Sequence, residues 1–326
     1  LNDAPQTVFD LVERYGIECD LVRKGVIKAA HNRRGFKALE EHARQWQARG
    51  ANVELFNAGR AEELLGTKRY LGGIIDHRSA AIQPLSYVRG LASAAQTEGA
   101  RLHTASPVTR LERRGETWRV STARGVVTAG HVVLATNAYS DDLWPGVKQS
   151  VTPIGCYAFA SEPLGENIRE SILPGGHAMY DVQPVMNFAR KDRDQRLMVG
   201  SLGYLPRANP GRSSAWVNRM LRRLFPQLDG ISWSYKWAGT IGFTPDHLPR
   251  LHEPAENLIM TLGYNGRGIA PGTFWGQQIT ARIVDGKPLA DMPLPVTPVR
   301  PIRRRVLWQA FYESAFSAYR LRNLIE

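Results

Sequence analysis

Thr261-Leu-Gly-Tyr-Asn-Gly-Arg-Gly-Ile-Ala-Pro-Gly272 joins a short apolar strand, Leu258 to Met260, to a helix through glycines at 263, 266 and 268. Glycine lets backbone N–H groups approach a ligand that a Cβ would hold off. The helix behind the loop presents its positive N-terminus to whatever is bound, so such a loop favours negative charge. Pro271 suits the first helical turn, Trp275, Ile279 and Ile283 recur at i, i+4 and i+8, and Gly286 marks the stop. The order is G-x-x-G-x-G, with Pro271 where the dinucleotide pattern G-x-G-x-x-G needs its last glycine. Beyond the helix the chain enters the proline-rich run Pro288 to Pro301, where a Rossmann unit needs a second strand with an acidic end. The loop is therefore read as closing a nucleotide-type domain, not opening one; a tight strand-to-helix connection without a ligand would have the same sequence.

The chain has 326 residues, 43% of them apolar, enough for one large core or two ordinary domains. No run approaches the roughly 20 apolar residues of a membrane helix, and the first residues show no basic-then-apolar signal, so the reading is a globular, cytoplasmic protein. Cys19 and Cys156 lie far apart and outside any metal-ligand spacing, and the eight histidines form no H-x-x-x-H or Cys/His cluster, so no metal site is expected. The net charge is +12. The arginines are dispersed except at Arg303 to Arg305 and no aromatic-rich module accompanies them, which argues against nucleic acid; an anionic cofactor or acidic substrate explains the charge as well.

Val8, Leu11, Val12 and Tyr15 predict a helix ending at Gly16. A strand over Leu21 to Ala29, a helix with Phe36, Leu39, Ala43 and Trp46 on one face, and a strand at Val53 to Phe56 come next. After Ile82-Gln-Pro84 comes a helix carrying Val88, Leu91, Ala92 and Ala95, a stop at Gly99 and a strand at Arg101 to His103. The hairpin Trp118 to Thr122 and Val126 to Ala129 leads to Val132 to Ala135, read as a parallel-sheet strand buried on both faces, whose end at Thr136 and Asn137 is where an open α/β sheet holds ligands. Residues 150 to 240 read as a β-rich insert with a hairpin around Lys191 to Gln195, a short helix at Met220, Leu221 and Leu224, and Trp233, Tyr235 and Trp237 alternating on one strand face.

The series D-H-R-S-A-A-I-Q-P-L-S-Y-V-R-G-L (76 to 91), G-A-R-L-H-T-A-S-P-V-T-R-L (99 to 111), H-V-V-L-A-T-N-A-Y (131 to 139), F-T-P-D-H-L-P (243 to 249) and L-G-Y-N-G-R-G (262 to 268), with the terminal Y-R-L-R (319 to 322), resembles the D-amino-acid oxidase superfamily of FAD-dependent amine and amino-acid oxidases, and within it the γ-glutamylputrescine oxidase type. The resemblance implies an α/β fold, an FAD-binding doubly wound sheet with a β-rich substrate-binding domain. Residues 1-19, 73-149 and 241-290 would form the FAD domain, 20-72 and 150-240 the substrate domain, and 291-326 a basic tail helix. The family's N-terminal G-x-G-x-x-G segment has no counterpart, so the chain is read as N-terminally incomplete. Val132 to Ala135 and Leu258 to Met260 are then expected to flank an unfilled strand position or an exposed edge, with the loop at Gly263 to Gly268 facing an open cleft.

The same resemblance places Val108 beside the adenine, Ala135, Thr136 and Asn137 along the cofactor, and Gly263, Tyr264, Asn265, Gly266, Arg267, Gly268 and Ile269 against the flavin's N1 and C2 carbonyl. Tyr157, Phe188, Arg190 and Trp237 are candidates for lining the substrate cavity; the aromatics also suit a core, and Arg190 suits either a substrate carboxylate or a solvated hairpin. No catalytic acid or base stands out. The implied activity is oxidative deamination of a small amine or amino acid, γ-glutamylputrescine-like, with hydride transfer to flavin N5 and oxygen as acceptor, assisted by Arg267 or Lys236. A sarcosine or glycine oxidase-like enzyme, or a non-catalytic remnant or partner subunit, are the alternatives. Thr244-Pro245-Asp246 resembles the sarcosine oxidases, but Trp237 to Phe243 holds no cysteine, so FAD is expected to be non-covalent. The amphipathic stripe from Val306 to Ala318 is expected to dock on the protein's own surface, with an anionic membrane as the alternative.

Overall fold

The computed structural model describes residues 3–204, 210–228 and 230–325, the side chains of 210–214 and 320–325 lying outside the described set. From the N-terminus the order is α1 (Ala4–Tyr15), β1 (Val26–Ala30), α2 (Arg33–Gln47), β2 (Val53–Asn57), α3 (Ala58–Leu65), β3 (Gly72–Asp76) and α4 (Pro84–Thr97). Then come β4 (Val108–Arg114), β5 (Thr117–Thr122), β6 (Gly125–Ala129), β7 (Val132–Leu134), β8 (Thr152–Pro163), α5 (Glu166–Ser171), β9 (Ala178–Asp181), β10 (Asn187–Lys191) and β11 (Arg196–Leu202). The chain continues through α6 (Pro210–Leu224), β12 (Trp233–Phe243), β13 (Arg250–Ala255), β14 (Leu258–Leu262), α7 (Ile269–Val284) and α8 (Arg305–Ile325). No helix among the described residues is long and apolar enough to cross a membrane.

The chain forms two units, one of Leu1–Gly16, Arg89–Ile154 and Thr240–Tyr312, the other of Ile17–Val88, Gly155–Gly239 and Glu313–Glu326. The segment 73-149 therefore divides after Val88, because β3 pairs with β1 and β2, and the tail 291-326 divides after Tyr312.

In the first unit α1 packs on α7 through a face that includes Val8 and Phe9. Gly16 in the left-handed region, φ 59°, ends α1 by returning its N–H to Glu13 O. β13, β14 and β7 make one three-stranded sheet, β4, β5 and β6 another. β14 is buried throughout, between a cluster of Trp118, Val147 and Val151 on one side and one of Trp275, Ile279 and Met292 on the other. It runs parallel to β7, with Leu258 beside Val132 and Met260 beside Leu134.

The second unit is built on the eight-stranded sheet β12-β8-β11-β10-β9-β1-β3-β2. Alternation sorts its side chains. Leu197 and Val199 of β11, Ala189 of β10, Phe159 of β8 and Ile27 of β1 point to one face, where Val217, Leu221 and Leu224 of α6 cover them. On the other face α2 covers Ala30, Val53 and Ile74.

Three expectations are corrected and one is narrowed. β7 is not buried on both faces: Val133 is 43% exposed and Ala135 is exposed, since β7 has a hydrogen-bonded neighbour on one side alone among the described residues. Of the two outcomes expected for β7 and β14, the exposed edge is the one found: the strands pair directly, with no empty position between them, and the far side of β7 is open among the described residues. Arg101 to His103 form no strand and are exposed. The helix over Met220 to Leu224 is not short: α6 has 15 residues. The apolar face of α4 is also only partly used, with Tyr87 buried and Val88 59% exposed.

Candidate functional site

The glycine loop is held from behind by two asparagines. Asn137, just past β7 at φ 43°, accepts the Gly263 N–H on its Oδ1 at 2.9 Å, which ties the end of β7 to the end of β14. Asn265 accepts the Thr244 N–H at 2.8 Å and donates through Nδ2 to Thr244 Oγ1 and to the Gly263 carbonyl. Its own N–H reaches Gly242 O at 3.2 Å. Three closely spaced residues, Gly263 (φ 75°), Asn265 (φ 53°) and Gly266 (φ 84°), lie in the left-handed region, where glycine and asparagine are the residues that settle most readily. At Gly263 a Cβ would strike the Thr244 methyl, so glycine is needed there by contact as well as by φ.

The front of the loop is different. Gly266, Arg267, Gly268 and Ile269 are exposed, and a Cβ on Gly268 would meet open space. Gly268 is the N-cap of α7 and offers no side chain to the first-turn N–H groups, which are left pointing outward with the positive end of a 16-residue helix behind them. Tyr264 faces inward: its hydroxyl shares a 2.6 Å hydrogen bond with Thr261, and burial pushes its phenol above the ordinary value. Ala135 and Thr136 are exposed at the end of β7, and the Thr136 hydroxyl is 2.7 Å from that of Ser140. The structure thus gathers Asn137, Gly263 and Asn265 into one hydrogen-bonded frame. Val108 lies apart from it, part-buried at the start of β4 in the other small sheet.

In the second unit the four candidates for the substrate cavity separate. Tyr157 is buried in the core under α6, with its hydroxyl accepting from Trp216 Nε1 at 2.8 Å, so it lines no open cavity. Phe188 and Arg190 alternate with Ala189, which faces that core, and therefore belong to the opposite face of the sheet. The Phe188 ring lies over Gly200, which leaves it room by having no side chain. Arg190 is mostly withdrawn from solvent and its Nη2 has no hydrogen-bond partner among the described residues. Burial pushes the guanidinium below its ordinary value while Asp192 and Asp20 act the other way; it stays cationic. Trp237, on β12, is 45% exposed.

Two features escape a reading of the sequence. Thr244 locks Asn265 from 21 positions away; the T-P-D string is visible, but not this use of its threonine. Asp181, 2% exposed, receives the Asn187 N–H at 3.0 Å, the Asn187 side-chain amide at 3.1 Å, the Gln183 side-chain amide at 2.6 Å and the Tyr70 hydroxyl at 3.3 Å. Burial raises its carboxyl group, and the Asn187 and Gln183 hydrogen bonds oppose that rise.

A family model, that of the FAD-dependent oxidoreductases, matches residues 2–282. The chain belongs to this family. Gamma-glutamylputrescine oxidoreductase of Escherichia coli (strain K12) is 29% identical over 266 residues, 81% of this chain and 62% of that protein. Glycine oxidase of Geobacillus kaustophilus (strain HTA426) is 26% identical over 297 residues, 88% of this chain and 76% of that one. The crystal structure of glycine oxidase from Geobacillus kaustophilus superposes with a TM-score of 0.75 at 22% identity, covering 93% of this chain and 80% of that one, so the mixed α/β fold is shared. The chain spans about three fifths of the length of the first of these relatives. The exposed, uncapped start of α7 and the open space at Gly268 suit a negatively charged ligand. The 326 residues contain no G-x-G-x-x-G, so none of them is assigned to the pyrophosphate.

Proposed function

We propose that this chain binds FAD non-covalently and takes part in oxidising a small amine or amino acid of the γ-glutamylputrescine kind. The observation that carries this reading is the start of α7: a helix N-terminus with no side-chain cap, exposed behind a loop that Asn137 and Asn265 hold rigid. Bound flavin would supply hydride acceptance at N5, and its reduced form gathers negative charge at N1 and the C2 carbonyl. Gly268 and Ile269 meet such charge with backbone N–H groups already in place, so no reorganisation is needed. Ala135, Thr136 and Asn137 would line the same cofactor. No Cys is present between Trp237 and Phe243 to attach it.

Arg190 is the residue we assign to the substrate. A guanidinium mostly withdrawn from water with an unused N–H is suited to a carboxylate, which the γ-glutamyl group or an amino acid carries. Phe188, on the same face, would pack against the aliphatic part. The amine must be presented unprotonated for hydride to leave its α-carbon, and orientation by Arg190 and Phe188 would serve that step. Oxygen is the acceptor in this reading. Similarity to glycine oxidase over 76% of that relative's length supports a second substrate, glycine or an N-methylated glycine, through the same carboxylate contact.

A fluorescence titration of FAD against the purified chain tests the cofactor, followed by acid precipitation, which should leave the flavin in the supernatant. Flavin in the pellet, or no saturable binding, would count against the reading. Coupled peroxide assays with γ-glutamylputrescine, putrescine, glycine and sarcosine then rank substrates. Arg190→Ala should raise KM by roughly thirtyfold for the carboxylate-bearing amines, from a charge-assisted hydrogen bond of about 2 kcal/mol, and leave putrescine unchanged. An equal effect on putrescine would remove Arg190 from the site.

A further inference from the structure

The second unit contains a cavity of about 270 Å³ on the α6 side of the sheet, the face opposite Phe188 and Arg190. Arg69, Arg219, Arg222 and Arg223 line it. On α6 the last three fall at i, i+3 and i+4, with Trp216 one turn before them, so the helix presents them to one side. Arg69 comes from the connection between α3 and β3, so two separate parts of the chain bring cations to one hollow.

Several arginines in the molecule are neutralised locally, and these four are not. Arg44, Arg60, Arg78, Arg196 and Arg250 each have a carboxylate two to four residues away in the chain. Arg69, Arg219, Arg222 and Arg223 have no carboxylate partner among the described residues, and no acidic residue lines the cavity. Like charges at i, i+3 and i+4 repel when nothing neutralises them, and a concave wall of low dielectric focuses their field outward.

Most of the neutral polar groups of the wall already have partners. Gln183 and Asn187 turn their side-chain N–H groups back to the buried Asp181. Gln183 Oε1 accepts from the Tyr319 hydroxyl at 2.8 Å. The Ser201 hydroxyl donates to Met186 O, and Trp216 Nε1 donates to Tyr157. Asp181, the carboxylate of this network, is enclosed by these donors and forms no ion pair among the described residues. Among the described residues, the charged groups lining the cavity are all guanidinium.

We propose that this cavity is an anion site for a small molecule bearing two or more carboxylate or phosphate groups. Planar guanidinium forks from α6 and from Arg69 would bind its oxygens in pairs. The size of the cavity limits the occupant to a compact compound. The proposal does not depend on flavin, since it concerns the opposite face of the sheet from Arg190 and its test uses no cofactor.

Isothermal titration of the full chain with citrate and with pyrophosphate, at fixed ionic strength and without FAD, tests it. Saturable binding of at least one probe is expected, and which probe binds more tightly tells carboxylate from phosphate recognition. Arg219→Gln/Arg223→Gln should weaken that binding by about tenfold or more, each lost guanidinium contact removing a charge-assisted hydrogen bond. Arg33→Gln/Arg34→Gln on α2 should leave it unchanged. Far-UV circular dichroism confirms that the variants are folded, and Arg69→Gln, outside any helix, interrogates the same cavity should the α6 pair not fold. Absence of saturable binding for both probes, or binding that survives the cavity variants, overturns the proposal.

Discussion

The β13-β14-β7 sheet and the eight-stranded sheet are made of similar residues and end in different states. In the large sheet Leu197, Val199 and Phe159 are fully buried, because α6 lies over them and strands pair on both sides. In the small one β14 is just as buried, but its partner β7, the apolar string Val132-Val133-Leu134, is half in water. Composition does not separate the two cases. Neighbours do: a strand's apolar side chains are buried only as far as other elements cover them.

The sharpest test sets one residue from each sheet against the other. Leu197→Ala should cost about 2–5 kcal/mol, the usual penalty for a core leucine with nothing free to fill the gap, while Val133→Ala should cost less than about 0.5 kcal/mol. Urea denaturation of both variants measures this; equal losses would mean that β7 is covered in solution. Within the first unit, Gly263→Ala should destabilise by roughly 1–3 kcal/mol through its φ of 75° and the Thr244 methyl. Gly268→Ala should leave the denaturation midpoint in place, since φ is −82° and the space is open, and should instead weaken flavin binding.

The glycine loop, the helix behind it and the helix stop at Gly16 were legible in the sequence because they are local: spacing and residue type determine them within a few positions. Asn137's hold on Gly263 spans 126 residues and Tyr70's on Asp181 spans 111, and no periodicity announces either. The exposure of β7 was illegible for a related reason. Val-Val-Leu states a preference for burial, and the missing information is whether another strand arrives on the far edge. The separation of Tyr157 from Phe188 and Arg190 lies between these extremes; alternation gives it once strand register is known, and register is set by pairing.

Two smaller effects refine the comparison. Val133→Lys should leave stability within about 0.5 kcal/mol and reduce self-association seen by size-exclusion chromatography, because a charge on an open edge discourages edge-to-edge pairing. An unchanged elution profile would place any association elsewhere. The histidines give the smallest signal. His252 in the first unit and His31 and His177 in the second are each held below the ordinary imidazole value, burial being the main cause. The unfolded chain takes up protons near pH 6.5 while the folded chain resists them, so stability is constant above that pH and falls as the pH drops toward the lower folded values. His252→Gln should shrink the difference between urea midpoints at pH 7.5 and 5.5; a difference that stays the same would assign the pH response to the second unit.

Phe188 stands on Gly200, and Gly200 has no room to become anything else, since a Cβ there would strike both the Phe188 ring and the Tyr157 carbonyl. For anyone remodelling this face by directed evolution, that makes the pair a one-way valve. If Phe188 meets the substrate as proposed, trimming it opens volume that residue 200 cannot refill, so substrate scope gained at that point would be retained through later rounds, and bulkier amines are the compounds with which to screen for it.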